Sequence, residues 1–554
     1  KMPESTAGHQ LDLGNSPARA GSAAQANTMS RPGIDRVFER RLSALVNGGE
    51  PQILQGGRKG VEKESLRVMP NGSLARTPHP ALLGSALTNE HITTDYSEAL
   101  IELVTPAFTH SWELLQYLLD LHQFVYRHLG DELLWATSMP CAIAQDADIP
   151  LAQYGISHVG RMKTVYRNGL GLRYGRMMQA ISGVHFNYSF PLPFWEAWAA
   201  AREVSAPGPQ FISACYFDLL RNYRRFGWLV LYLFGVSPVV CKSFLHGREL
   251  GLRDFGAGTA FEPHATSLRM SDVGYRNRNQ AGLEVSVNSL DEYVRDLQRA
   301  ITTPHPPYEA LGVKVNGEWR QLNANILQIE NEYYSFIRPK RVARSGERPT
   351  KALRRAGVEY VEVRALDVSA FDPVGVNQNK LRFLEAFLAL CLSKDSAPIA
   401  LSEQGVLDEN HVVVARRGRE PGLTLWREGG RVPMRDWARE LLDSMSGICE
   451  MLDRGDPGRP YCQALAIQAA KIQDVTLTPS ARLMAELTAG ESFFDLALRM
   501  SAAHKAYFLD LYPPNEGRLR EFGGEARESL AAQRAIEASD SGTFEEYLAR
   551  YFAD

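Results

Sequence analysis

The stretch Gly183-Val-His-Phe-Asn-Tyr-Ser-Phe190 decides the fold class, because its side chains alternate without a break. Val184, Phe186, Tyr188 and Phe190 fall on one side of an extended backbone and His185, Asn187 and Ser189 on the other, the period of two that a half-buried strand requires. Such a strand has one greasy side and one side available for chemistry. Working outward, Gly60-Val-Glu-Lys-Glu-Ser-Leu-Arg-Val68 is a second strand-like run, bounded by Gly60 and the turn signal Pro70-Asn-Gly72. Ala99 to Val104, closed by Thr105-Pro106, is a third, and Glu359 to Val368 a fourth. Helical spacing occupies Ile34 to Val46, residues 111–129 (Leu114, Leu115, Leu118, Leu119, Leu121, Val125) and the aromatic-rich stretch 210–234. Beyond about residue 430 the pattern is helical nearly throughout, apart from loops at Asp456-Pro-Gly and Tyr512-Pro-Pro-Asn. Strands and helices mixed first and helices last predict an α+β fold, with an α+β domain over 34–430 and a helical region over 431–554 packed on it. Residues 1–33, rich in Ala, Gly, Ser, Asn and Gln, read as a flexible extension.

The 554 residues carry 44% apolar and 23% charged side chains, as a globular chain does, which excludes collagen-like, coiled-coil and mostly disordered classes. A net charge of −3 supplies no global field toward nucleic acid or an anionic membrane, so neither is an expected partner. The longest apolar run, Trp228 to Cys241, is shorter than a bilayer span and is interrupted by Gly235, Ser237 and Pro238; it predicts a buried helix or strand pair. Six cysteines without a C-x-x-C pair form no disulfide framework or zinc ribbon. All six are expected to be reduced, buried apolar filler in a cytoplasmic protein without a secretory signal.

Several chemistries are missing. There is no G-x-x-x-x-G-K-[ST] phosphate loop, no H-E-x-x-H and no G-x-S-x-G, and Gly169-Leu-Gly-Leu-Arg-Tyr-Gly175 has the wrong spacing for a dinucleotide loop. What remains is a recurrence of acids within strand-like runs. Glu62 and Glu64 share a face, roughly 6–7 Å apart at ~3.3 Å per residue. Asp95 and Glu98 precede Glu102, which is enclosed by Leu100, Ile101, Leu103 and Val104. Glu362 and Arg364 again share a face. Singly, each acid reads as a solvated strand face or a salt bridge to a neighbour such as Lys63 or Arg67. Together they require cations, because two carboxylates ~4 Å apart repel by about 4 kcal/mol at an effective dielectric of ~20. Oxygen ligands of this kind suit Mg²⁺ or Mn²⁺, and His185 offers a nitrogen.

A cationic stretch, Arg338 to Arg355, holds eight basic residues against the single acid Glu347. Two prolines and Ser345-Gly346 predict a mobile loop running into the strand of Glu362 and Arg364, a placement suited to offsetting charge on a transferred phosphoryl group. Its bland reading is a solvated surface loop. Arg269, Tyr275, Tyr333 and Tyr334 read either as core-edge residues or as the walls of a pocket for a small amphipathic substrate.

In order and spacing, these runs resemble the proteobacterial type of glutamate–cysteine ligase. The likeness extends from about residue 35 to about 525. It is carried by Gly-Val-Glu-Lys-Glu-Ser-Leu-Arg-Val (60–68), Gly-Ser-Ala-Leu-Thr (84–88), Thr-Thr-Asp-Tyr-Ser-Glu-Ala-Leu-Ile-Glu (93–102), Ser-Met-Pro-Cys (138–141), Leu-Ala-Gln-Tyr-Gly (151–155), Ile-Ser-Gly-Val-His-Phe-Asn (181–187), Ala-Thr-Ser-Leu-Arg-Met-Ser-Asp (265–272), Leu-Gln-Ile-Glu-Asn-Glu-Tyr-Tyr (327–334) and Tyr-Val-Glu-Val-Arg-Ala-Leu-Asp (360–367). Lys59 and Lys63 depart from the arginines of the family pattern, keeping the charge without the planar fork.

The resemblance implies a glutamine-synthetase-like, curved, mainly antiparallel sheet forming a funnel, with a largely helical C-terminal part. It implies ATP-dependent joining of the glutamate γ-carboxylate to the cysteine amine through a γ-glutamyl phosphate, the first step of glutathione biosynthesis. Glu62, Glu64, Asp95, Glu102, His185 and Glu362 would serve Mg²⁺ (or Mn²⁺). Arg269 and Arg364 would hold glutamate or the transferring phosphate, and Tyr96, Tyr275 and Tyr334, with Arg269, the substrate pocket. The expected partners are L-glutamate, L-cysteine and ATP, with glutathione as feedback inhibitor, and the expected state is a monomer. A ligase accepting another amine, and a catalytically dead nucleotide or glutathione sensor, are the alternatives.

Overall fold

A computed structural model describes residues 36–48, 52–205, 207–274, 282–344, 346–487 and 490–553. The expected extension 1–33 and Tyr275 lie outside them. Seven strands form the main sheet: β1 (Arg58–Val68), β2 (Ile92–Thr94), β3 (Leu100–Val104), β4 (Leu133–Leu134), β5 (Gly183–Ser189), β6 (Ile337–Lys340) and β7 (Tyr360–Asp367). Their spatial order is β6-β7-β5-β1-β3-β2, with β4 added to the end of β1, and every pairing is antiparallel. The alternation of β5 is realised as expected. Val184, Phe186 and Tyr188 join Val61, Ile101, Leu103, Val361 and Val363 in one apolar cluster. That cluster is filled from behind by helices Ser111–His128, Pro209–Phe226, Trp228–Phe234, Gln378–Ser393 and Met434–Leu452. The apolar run from Trp228 becomes a fully buried helix followed by the short strand Val239–Cys241.

From Met434 onward the described elements are helical. The buried ion pair Lys59 Nζ–Glu385 Oε2 (2.6 Å), on which Tyr461 also donates at 2.6 Å, ties β1 to helices Gln378–Ser393 and Pro460–Gln473. Among the described residues no helix is long and apolar enough to cross a membrane.

Two expectations are corrected. Cys141 and Cys241, 100 residues apart, form a disulfide, so the cysteines are not all thiols. Both sit in a second apolar cluster, where strand Val239–Cys241 reaches the segment after Met139. Cys215, Cys391 and Cys449 are buried thiols and Cys462 is half-buried. The basic stretch 338–355 is not one loop either. Arg338 to Lys340 lie in β6 and Pro349–Ala356 is a helix. The prolines that read as loop signals occupy positions where a missing N–H costs little: Pro339 is on an edge strand and Pro349 in the first turn of a helix.

Candidate functional site

The face of the sheet opposite the apolar cluster gathers the acids, and strand register does the gathering. Glu62 stands opposite His185, Glu64 opposite Glu102, and Glu362 opposite Asn187. His185 Nδ1 lies 3.1 Å from Glu62 Oε2 and 3.4 Å from Glu362 Oε1, and its Nε2 lies 3.7 Å from Glu64 Oε1. Asn187 donates to Glu62 Oε1 at 2.8 Å, and the Gly183 amide to Glu64 Oε2 at 2.7 Å. Two sets of potential metal ligands result, Glu62–His185–Glu362 and Glu64–Glu102–His185, each with its ligand atoms within 4.8 Å of one another. His185 belongs to both.

Cations close the cluster on one side. Arg364 Nη1 donates to Glu362 Oε1 at 2.8 Å and Lys340 Nζ approaches Glu362 Oε2 at 3.3 Å. Burial pushes the Glu362 carboxyl up, but Lys340, Arg364 and His185 together hold it well below the usual range. Burial likewise raises Glu62, and its hydrogen bond to His185 brings it back below that range. Glu64 is raised by burial, with Asp95 adding to the effect. Glu102 is held well above the ordinary value by burial and then by Glu62, Asp95 and Glu64.

The residues fit a divalent cation. They are carboxylates and one imidazole, two of the carboxylates face each other across a strand pair, and the buried Glu362 Oε2 accepts no hydrogen bond.

Asp95 and Arg269 stand beside the cluster. Asp95 is outside both ligand sets, although its charge acts on Glu64 and Glu102. Its carbonyl accepts from Tyr154 at 2.9 Å and from the guanidinium of Arg167. Arg269 is buried, donates to the Arg364 carbonyl at 3.2 Å and lies 3.9 Å from Asp367. A Cβ at position 183 would overlap its guanidinium, which explains the glycine there. Tyr334 accepts a hydrogen bond from Gln179 at 2.8 Å, and burial pushes its hydroxyl up to about 12. Tyr96 is buried, its hydroxyl without a hydrogen bond and close against Gly171.

Glu98, grouped with the acids by sequence, turns away: its carboxylate accepts from the amides of His79 and Gln153. Lys63 and Arg67 are not salt-bridge partners of Glu62 or Glu64. Lys63 contacts His122 at 3.0 Å and Arg67 pairs with Glu132 at 2.8 Å.

Sequence reasoning did not single out Arg167, Asn187 or Asp367, and it put Lys340 in a mobile basic loop, whereas it stands on an edge strand. Arg167 and Lys163, four apart on helix His158–Tyr174, stack over the Tyr154 ring at 4.6 and 5.1 Å. That i,i+4 pair of cations was the available signal. Asn187 was on the working face of β5 from the start. Asp367 had no signal, because a bulge between Val363 and Leu366 shifts the register and returns it to the face of Glu362. There it accepts from Ser237, Ser267 and the Val236 amide.

This is an α+β protein built around a buried carboxylate–imidazole cluster flanked by arginine and lysine. The family profile for glutamate-cysteine ligase matches residues 42–414. A glutamate–cysteine ligase of Alcanivorax borkumensis is 49% identical over 523 residues, covering 93% of this chain and 99% of its own length. The crystal structure of glutamate–cysteine ligase from Francisella tularensis in complex with AMP superposes with a TM-score of 0.85 at 38% identity, covering 90% of this chain and 98% of that one. A bifunctional glutathione synthetase from Pasteurella multocida, 22% identical, shares the fold with a TM-score of 0.67, over 86% of this chain and 55% of that one. The chain belongs to the glutamate-cysteine ligase family and is a ligase.

Proposed function

We propose that the chain joins the γ-carboxylate of L-glutamate to the amine of L-cysteine at the expense of ATP, giving γ-glutamylcysteine, ADP and phosphate, the first step of glutathione biosynthesis. The observation that carries this reading is the meeting of Glu62, Glu64, Glu102, His185 and Glu362 on one sheet face in a chain of this family. The relative from Francisella tularensis binds AMP, which supports an adenine nucleotide as co-substrate.

In the reaction a γ-carboxylate oxygen of glutamate attacks the γ-phosphorus of ATP and ADP leaves. The cysteine amine then attacks the acyl carbon, loses a proton, and phosphate departs. Mg²⁺ or Mn²⁺, held by Glu62, Glu64, Glu102, His185 and Glu362 with Asp95 alongside, would neutralise phosphate charge and polarise the transferred group. Arg364 and Lys340, anchored on Glu362, place fixed positive charge where the phosphoryl group passes. Arg269, held against the Arg364 carbonyl, orients substrate from the rear of the pocket. Tyr96 and Tyr334 form the wall that receives cysteine, with Tyr275 assigned to it by the family resemblance alone, and the buried hydroxyl of Tyr334 stays protonated as a hydrogen-bond donor at neutral pH.

The same reading takes the sheet as the wall of a funnel, residues 34–430 as the catalytic domain carrying the helical region 431–554, and residues 1–33 as dispensable. The protein acts in the cytoplasm as a monomer, and glutathione, which carries the same γ-glutamyl group, competes for the site. The test is ADP release with Mg²⁺ and ATP over a panel of amino acids. Release that needs both glutamate and cysteine supports the reading; release with glutamate and a different amine replaces it with the related ligase, and no release favours a sensor.

A further inference from the structure

The helix Phe544–Ala553 builds a small apolar cluster of its own, separate from the two main cores. Phe544 and Leu548 pack with Met162 and Val165 of helix His158–Tyr174 and with Leu322 and Ile329 of the segment leading to Tyr334. Phe544 is held on two sides and its neighbour Glu545 by an ion pair. The Trp319 ring meets it edge-on at 5.3 Å, the Arg161 guanidinium sits 4.5 Å over its face, and Lys314 pairs with the adjacent Glu545 at 2.7 Å.

The preceding helix, Glu516–Ser539, fastens the entry to helix His158–Tyr174. The Ile156 amide donates to Glu537 at 3.0 Å and the His158 amide donates to Asp540. Gly155 has a φ of +79°, a conformation that favours glycine, and a Cβ there would push aside the ends of the Gln533 and Glu537 side chains.

Each of the two elements that the last helix grips carries a side chain that acts on the acid cluster, Arg167 on Asp95 and Glu102 and Tyr334 on Asp95. On helix His158–Tyr174, Met162, Val165 and Tyr166 form the stripe facing Phe544 and Leu548. Lys163 and Arg167 form the neighbouring stripe, and Arg167 donates to the Asp95 carbonyl. The other element is locked to this helix by Gln328 donating to the Tyr166 carbonyl at 3.2 Å and by Glu332 accepting from Arg173 at 2.9 Å and Tyr174 at 2.6 Å. It ends in Tyr334, whose ring meets Tyr174 edge-on at 6.1 Å. Tyr166 packs against both the small cluster and a main core, so it is the joint between clamp and pocket.

We propose that Phe544 and Leu548 are positioning residues: the last helix clamps the Arg167 helix to the Tyr334 segment and so fixes the width of the amino-acid pocket. None of the acids of β1, β3 and β7, nor His185 of β5, belongs to the cluster around the last helix, so the metal and nucleotide part of the site feels the clamp only through what Arg167 passes on at Asp95 and Glu102. This rests on the ligase reading, and wild-type turnover tests that reading first.

The experiment compares wild type with the double variant Phe544→Ala/Leu548→Ala and with Phe544→Leu, by steady-state ADP release, thermal unfolding and hydrogen exchange. In the double variant the KM for glutamate or cysteine should rise about tenfold while kcat and the KM for ATP stay within about twofold. Phe544→Leu, which keeps the apolar contact, should restore the wild-type KM. Amides of 158–174 and 328–334 should exchange faster, whether or not the protein turns over these substrates. Unchanged amino-acid KM values and unchanged exchange would overturn the clamp. So would a joint fall of kcat, ATP affinity and unfolding temperature, since that is what loss of ordinary packing produces.

Discussion

Replacing Glu102 by Gln separates the cost of the acid cluster from its use. Glu64 and Glu102 are directly opposed on β1 and β3, with ligand oxygens within 4.8 Å. At that separation and an effective dielectric of ~20, two carboxylates repel by about 3 kcal/mol. Glu102 is partly exposed, so solvent screening and its own protonation reduce the relief obtained by neutralising it to about 1 kcal/mol. Glutamine keeps the shape of the protonated acid. In EDTA, therefore, Glu102→Gln should be as stable as wild type or about 1 kcal/mol more so, a gain of about 1–2 °C in unfolding temperature. With Mg²⁺ the order reverses. Wild type should gain about 2.7 kcal/mol at a hundred times the dissociation constant, and the variant should lose most of that gain. Turnover in the variant should fall about 100-fold or more. Thermal scans with and without Mg²⁺, and ADP release at limiting Mg²⁺, read all three effects. A variant that is less stable in EDTA yet as strongly stabilised by Mg²⁺ as wild type, with unchanged kinetics, would refute the reasoning.

Arg364→Ala removes the guanidinium bound to Glu362 and should lower kcat for ADP formation about 100-fold with little change in unfolding temperature; wild-type rates would remove Arg364 from the phosphoryl step. Alkylation of the unreduced, unfolded protein should label four thiols, with Cys141 and Cys241 labelled only after reduction, and mass spectrometry reads the difference. Burial, then Lys380 and Arg482, push the Lys471 ammonium down from 10.5 to about 7. The unfolded chain therefore holds the extra proton between pH 7 and 10.5, and stability should rise with pH across that window as the folded amine discharges. In Lys471→Met that rise should be smaller, and denaturant midpoints measured at several pH values should flatten; an identical slope would show that Lys471 does not titrate low.

What the sequence made legible is what period and register encode. The alternation of Gly183 to Phe190 places His185 and Asn187 on one side, and the two-residue spacing of Glu62 and Glu64 places them on theirs, before any partner strand is known. Three things escaped for separate reasons. The Cys141–Cys241 bond joins positions whose proximity is set by the packing of a strand against a distant segment, with no local motif to announce it. Pro339 and Pro349 read as loop makers because sequence does not say which strand is an edge or which turn begins a helix. Asp367 lies five residues after Glu362, which strict alternation would assign to the opposite face. The bulge after Val363 reverses that parity, so Val363 and Leu366 both enter the core and Asp367 turns toward Arg269.

The same register explains why an arrangement so unfavourable in isolation persists. Glu64 opposite Glu102 is a like-charge cross-strand pair, and such pairs destabilise a sheet. A slip of β3 by one residue against β1 would separate them, but it would also turn Ile101 and Leu103 out of the core. Each of these residues is worth about 1.5–3 kcal/mol when fully buried, so the apolar face outweighs the roughly 3 kcal/mol repulsion of the acids. The cluster is held from behind, and the positive charge supplied by Arg364, Lys340 and a bound cation need only settle acids that the greasy side of the sheet has already brought together.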